Sequence, residues 1–129
     1  MIHEEICTYE VCKLAKEKGF PQHIGNDAYV VENEYDDKYE VGCHYPIQFI
    51  PDYLPTIVAP TQSLLQKWLR EDKKWNIVVR MFEDKGYYWF IQNSKGQLQE
   101  SYFTYADEMF ATYELALEDA IKYALENLV

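Results

Sequence analysis

Between Asn76 and Phe103 the chain carries three β-branched or aromatic segments separated by short turns, and the first two have no polar face. Asn76 to Phe82 (NIVVRMF) reads as a strand, Glu83 to Gly86 as a turn in which glycine supplies positive φ, and Tyr87 to Gln92 (YYWFIQ) as the returning strand. A second turn, Asn93 to Gly96 (NSKG), leads to a weaker strand at Leu98 to Phe103. The pattern predicts an antiparallel meander of three strands. Alternate residues of a strand face opposite sides. Ile77, Val79 and Met81 therefore share one face and Val78 and Phe82 the other, with Tyr87, Trp89 and Ile91 opposed to Tyr88 and Phe90 in the next strand. A sheet with one solvated side would alternate apolar and polar residues. This one does not. Helices are expected to cover one face, and residues 1–60, or a second copy of the chain in a homodimer, to cover the other.

Three helices are marked around this meander. Thr112 is an N-cap candidate with Glu114 in the first turn, and Leu117, Ile121, Ala124, Leu125 and Leu128 follow on one stripe widened by Ala116 and Ala120. Ala59 to Glu71 (APTQSLLQKWLRE) reads as a helix started by Thr61 or Ser63, with Leu64, Leu65, Trp68 and Leu69 as its apolar face. Tyr9 to Lys18 is the first helix, capped by Thr8 and closed by Gly19 ahead of Pro21. From Phe20 to Pro60 the pattern weakens. Ala28 to Glu32 suggests a short strand, and Tyr45 to Ile50, bracketed by Pro46 and Pro51, an edge strand or extended piece. Pro51, Pro55 and Pro60 then punctuate a non-helical stretch.

The fold class expected is α+β: a three-stranded antiparallel meander packed against helices, with an additional N-terminal helix and short extended segments. At 129 residues this is the size of one domain. It divides into an N-terminal helix and irregular segment, 1–60, and a helix-β-β-β-helix unit, 61–129. Three cysteines (Cys7, Cys12, Cys43) make no even disulfide framework. The N-terminus lacks the basic and apolar regions of a signal peptide, and no apolar run has transmembrane length. A cytoplasmic location with reduced thiols is expected.

The formal net charge is −10. Residues 1–60 carry eleven acidic and four basic side chains, and residues 61–129 eleven and eight. Phosphate backbones and anionic lipid repel such a surface at long range, so neither nucleic acid nor membrane is expected as a partner. From Thr61 onward the order helix, three strands, helix resembles double-stranded RNA-binding domains. In that family lysines at the start of the last helix grip phosphates, whereas here the place reads Thr112, Tyr113, Glu114, Leu115, Ala116, Leu117, Glu118, Asp119. The likeness is topological, and topology does not license function.

Catalytic, cofactor and metal signatures are not found. His3, Cys7, Cys12, His23, Cys43 and His44 are zinc-type ligands, but no paired C-x2-C or H-x3-H unit spaces them as a zinc module does. Cys43 and His44 are neighbours whose side chains point to opposite faces of an extended segment, which disfavours a nucleophile–base pair. Asp36–Asp37 and Asp107–Glu108 read as solvated loop charges. Twelve tyrosines, three tryptophans and six phenylalanines are many for this length, and Tyr and Trp are enriched at protein interfaces, although most must be core or strand residues. Tyr35, Tyr39 and Tyr45, set among carboxylates, are the hardest to bury and are the candidate partner-binding strip.

APTQSLLQKWLRE (Ala59 to Glu71), the NIVV strand (Asn76 to Val79), the aromatic strand and the closing ATYELALEDAIKYAL helix (Ala111 to Leu125) together resemble a group of small uncharacterised proteins. These are encoded by phages and prophages of gut Bacteroidales. The resemblance covers the C-terminal half and, more loosely, the Tyr9 to Phe20 helix. It brings no activity, cofactor or catalytic residue. It implies a cytoplasmic protein of a bacterium carrying phage-derived genes. The expected function is that of a non-enzymatic accessory protein binding an unknown protein partner. The alternatives are an acidic nucleic-acid mimic, a small enzyme of unrecognised class, and an RNA-binding-like module that the charge disfavours.

Overall fold

The computed structural model describes residues 4–34, 36–102 and 109–129. They form two compact units, Ile6–Thr61 on one side and Met1–Glu5 with Gln62–Val129 on the other. The N-terminal residues join the later unit because the Gln62 amide donates to the Glu5 carbonyl (2.8 Å) and the Ser63 hydroxyl to the Glu4 carboxylate (2.8 Å). Among the described residues the architecture is α+β, with three α-helices and two three-stranded antiparallel sheets.

In the first unit, helix α1 (Tyr9–Glu17) starts where expected. The Thr8 hydroxyl accepts from the Val11 amide at 3.3 Å, satisfying one of the donors a helix start leaves free. Gly19, at φ 98°, ends the helix in the left-handed region that glycine enters without strain. The helix packs on a sheet of strands β1 (Asp27–Val30), β2 (His44–Pro46) and β3 (Thr56–Ala59), in the order β2-β1-β3. The expected strand at Ala28 to Glu32 is β1, shifted by one residue at its start. The expected extended piece at Tyr45 to Ile50 breaks in two: β2 ends at Pro46, and Ile47–Phe49 turns as a 3-10 helix. Pro46 is tolerated because β2 lies at the sheet edge. The proline-punctuated stretch holds β3, framed by Pro55 and Pro60. Ile57, Val58 and Ala59 are all buried, as are Ala28, Tyr29 and Val30. Neither strand alternates.

In the second unit, helix α2 (Gln62–Glu71) precedes β4 (Asn76–Phe82), β5 (Gly86–Gln92) and β6 (Leu98–Tyr102), and α3 (Tyr113–Asn127) follows. The sheet order β4-β5-β6 is the expected meander. Phe103, the last residue expected in its third strand, lies outside the described residues. Gly86 holds φ 134°, and a Cβ there would stand 2.6 Å from the Phe110 carbonyl oxygen. Only glycine fits where that backbone pairs with Tyr87. Helix α3 is capped by Thr112, whose hydroxyl accepts from the Leu115 amide at 3.1 Å. Its face of Ala116, Leu117, Ala120, Ile121, Ala124 and Leu125 is buried, and the helix packs on β4 and β5. Leu128 is only partly covered, and its carbonyl accepts the Trp75 indole N–H (3.2 Å).

Two sequence expectations need correction here. Helix α2 begins at Gln62, because Ala59 belongs to β3 and Thr61 pairs with Ile6. Its buried residues are Gln62, Leu65 and Leu69, at i, i+3 and i+7. Leu64 and Trp68 are partly exposed. A helix this short seats only one narrow stripe. Gln62 can be buried at its start because its amide donates to the Glu114 carbonyl and the Glu118 carboxylate, each at 2.9 Å. A buried polar group is tolerated when it is so paired. On the meander, Ile77, Trp89 and Ile91 face α3 and are buried, while Val78, Phe82, Tyr88 and Phe90 opposite them are half-buried. The Arg80 guanidinium lies 5.3 Å over the Phe90 ring on that second face.

Candidate interaction surface

The segment from Glu32 to Tyr53 carries six carboxylates and one lysine, and several aromatic residues hold it in place. Asn33 organises the loop. Its carbonyl oxygen accepts from the Asp36 amide (2.9 Å), and its amide group donates to the Asp36 and Tyr39 carbonyls. The Tyr39 hydroxyl donates to the Phe49 carbonyl at 2.7 Å, and the Tyr45 hydroxyl accepts from the Glu40 amide at 2.9 Å. The Tyr39 and Tyr45 rings meet edge to face, centroids 5.2 Å apart. The Tyr53 hydroxyl reaches Asp36 at 3.4 Å. Desolvation and the adjacent Asp36 carboxylate push the Tyr53 hydroxyl above its ordinary pKa, so it stays protonated.

Of the three residues the sequence singled out, Tyr39 and Tyr45 thus come together, and Tyr35 lies outside the described residues. Both hydroxyls are engaged within the unit, so what they offer outward is ring surface. The sequence reading missed the more exposed members of the patch. Val41, Ile47, Phe49 and Tyr53 are exposed, Phe49 and Tyr53 at 63% and 60%. Tyr53 also borders a cleft of about 330 Å³ lined by Glu32, Glu34, Asp52, Leu54 and Pro55. Among the described residues three carboxylates, no cation and a tyrosine ring line that space. Such a lining suits a guanidinium or an ammonium, which carboxylates attract and aromatic faces accept. The run Pro51-Asp52-Tyr53-Leu54-Pro55 could have signalled it, since a tyrosine held between prolines and beside an acid has little core to enter.

The residues weighed for chemistry take structural partners. His44 Nδ1 lies 2.8 Å from the Asp27 carboxylate, and the His44 ring meets Tyr29 edge to face. Cys43 points elsewhere, its thiol 3.6 Å from Glu40. Desolvation and the Glu40 carboxylate raise the Cys43 pKa, the reverse of what activates a thiol. Cys7, Cys12 and Cys43 form no disulfide, and the Cys12 thiol donates to the Cys7 carbonyl at 3.6 Å. Among the described residues no three His, Cys, Asp or Glu side chains are grouped to hold a metal, and no helix is long and apolar enough to cross a membrane. Asp36 accepts from the Lys38 amide (2.9 Å) as a turn residue. Asp107, Glu108 and His3 are outside the described residues.

A second groove, about 480 Å³, runs between β5, β6 and α3. Its polar groups are spent on one another. Trp89 Nε1 donates to Asp119 (2.9 Å), and the Tyr123 hydroxyl donates to Glu100 (2.8 Å). Glu100 also accepts from the Ser101 amide (3.0 Å). That amide first, and Tyr123 second, hold the Glu100 carboxyl below its ordinary range. Tyr123 is correspondingly pushed up by the Glu100 bond. A depressed folded-state carboxylate pKa contributes stability above the ordinary glutamate range, and that contribution is lost as pH falls through the folded value. Tyr123→Phe is therefore expected to destabilise the unit modestly at neutral pH, with the gap from wild type narrowing as acid protonates Glu100. Urea midpoints of both proteins across the acid range check this; a gap independent of pH would refute it.

No family model matches the chain, and neither a curated protein nor a solved structure is similar to it.

Proposed function

We propose that this is a non-enzymatic accessory protein of phage or prophage origin, cytoplasmic, that acts by binding another protein through its acidic, aromatic surface. A lysine or arginine of the partner enters the cleft of Glu32, Glu34 and Asp52, and its alkyl stem lies against Tyr53. The Tyr39–Tyr45 pair and Phe49 supply apolar contact around it. The observation that carries this reading is the cation-free cleft beside a tyrosine that is 60% exposed. Exposed aromatic residues next to unpaired charge of one sign are what protein partners use as anchors. The phage origin rests on the likeness of the α2, β4 and α3 segments to Bacteroidales phage proteins.

A fluorescent arginine-containing peptide is the direct probe. Binding to wild type should weaken with salt, since the attraction is largely between charges. Glu34→Gln combined with Tyr53→Ala should weaken it about tenfold or more, from the loss of a carboxylate and a cation–π partner. Glu83→Gln with Asp84→Asn, which removes two carboxylates from the second unit where the first pair removes one, should change it by less than about twofold. Equal weakening by both pairs would mean that bulk charge alone attracts the peptide, and the proposed surface would be wrong.

A further inference from the structure

We propose that the second unit carries an anion site, built for the phosphate of a small phosphorylated molecule, where the end of α2 meets the turn between β5 and β6. A cleft of about 340 Å³ opens there, lined by Arg70, Lys74, Asn76, Gln92, Asn93, Ser94 and Gly96. In a chain with 22 acidic and 12 basic side chains, the described residues of this lining hold two cations and no carboxylate. Its composition is the reverse of the protein's own.

Hydrogen bonds hold Lys74, Asn76, Gln92 and Asn93, and the cleft keeps several donors free. Asn93 sets the turn, its carbonyl oxygen accepting from the Lys95 and Gln97 amides at 2.9 and 3.0 Å, its amide donating to Gln97. Asn76 donates to the Gln92 carbonyl oxygen (3.3 Å), which leaves the Gln92 NH2 without an acceptor among the described residues. Arg70 has no carboxylate or hydrogen-bond partner among the described residues, nor does the Ser94 hydroxyl. A guanidinium fork, an ammonium, an amide and a hydroxyl around one space are the donor types that phosphate oxygens accept from. The ordinary role for cations at a helix end is to offset the negative end of its dipole, and Lys74 does so through a 2.8 Å bond to the Glu71 carbonyl. Arg70, in the last turn of α2, serves the same role, which leaves the donors across the cleft unaccounted for. The backbone of Lys74 holds φ 67°, the left-handed conformation that commonly follows a helix end and that glycine or asparagine adopts with less strain. The net acidity of the chain repels a long polyanion, so a single phosphate on a small molecule is the fitting occupant rather than a nucleic acid. The volume exceeds one phosphate and leaves room for the esterified group.

The test is an amide-resolved NMR titration of the full chain with inorganic phosphate and, separately, with a sugar phosphate, at constant ionic strength. Saturable shifts confined to Arg70–Asn76 and Gln92–Gly96 are expected, with the sugar phosphate bound more tightly than inorganic phosphate. Arg70→Gln should weaken binding at least about tenfold. Lys74→Asn should weaken it too, while leaving the thermal midpoint equal to wild type or higher, because it relieves the backbone. Shifts that grow without saturating, affinity unaltered in Arg70→Gln, or an oligonucleotide bound more tightly than the sugar phosphate would each overturn the proposal.

Discussion

Replacing Trp89 with alanine is expected to destabilise the second unit by about 3–5 kcal/mol, the range for deleting a fully buried large aromatic side chain. Trp89 sits in the central strand of the meander and is 2% exposed. Its ring lies 5.4 Å from that of Tyr123, and its indole N–H donates to Asp119 at 2.9 Å. Alanine would leave a cavity beneath α3 and remove the donor from Asp119 together. Trp89→Phe separates the two effects. It keeps most of the apolar filling and loses the N–H, and about 1–2 kcal/mol is expected. Urea unfolding followed by circular dichroism, with hydrogen exchange at the β4 and β5 amides, gives both values. A loss below about 1 kcal/mol for the alanine variant would contradict the placement of Trp89 as a core side chain.

Tyr29 occupies the corresponding place in the first unit, and Tyr29→Ala should also cost about 3–5 kcal/mol there. It lies on β1, the central strand, and is 7% exposed. Its ring meets Tyr9 and His44 edge to face, each with centroids 5.4 Å apart. Its hydroxyl donates to the Cys7 carbonyl at 2.7 Å, just ahead of the helix start that Thr8 caps. The residue therefore ties the chain leading into α1 to the sheet. Tyr29→Phe isolates that bond and is expected to cost about 1 kcal/mol, the net worth of one hydrogen bond. Protection of the Ala28, Val30, Ile57 and Val58 amides against exchange is the local readout. Equal and small effects of the two substitutions would mean that the ring contributes nothing to the unit's core.

The two variants also separate what could be read in advance from what could not. The meander around Trp89 was legible because its strands run five to seven residues and its turns carry asparagine and glycine where positive φ or tight reversal is needed. Helices α1 and α3 were legible from threonine caps and from apolar residues recurring at helical spacing. The sheet around Tyr29 was only half visible. Its strands are three or four residues long, too short to show a period of two, and β1 and β3 are buried at consecutive positions. The prolines that argued against regular structure at 55 and 60 stand just outside β3, where their missing N–H groups break no ladder bond.

The candidate surfaces divide in the same way. That Tyr39 and Tyr45 belong to an acidic, aromatic strip follows from their neighbours in the chain. That Tyr53 borders a carboxylate cleft with Glu32 and Glu34 does not, because some twenty residues separate them and only the closing of β1 against β3 brings them near. Arg70 and Ser94 are similarly remote until α2 and the β5–β6 turn approach each other. Sequence by itself determined the elements whose cause is local: caps, turns, helical stripes and the long aromatic strands. Tertiary structure decided which short strands pair, which face of α2 is buried and which charges share a cleft. Those outcomes depend on contacts between residues far apart in the chain, and no local period or propensity encodes them.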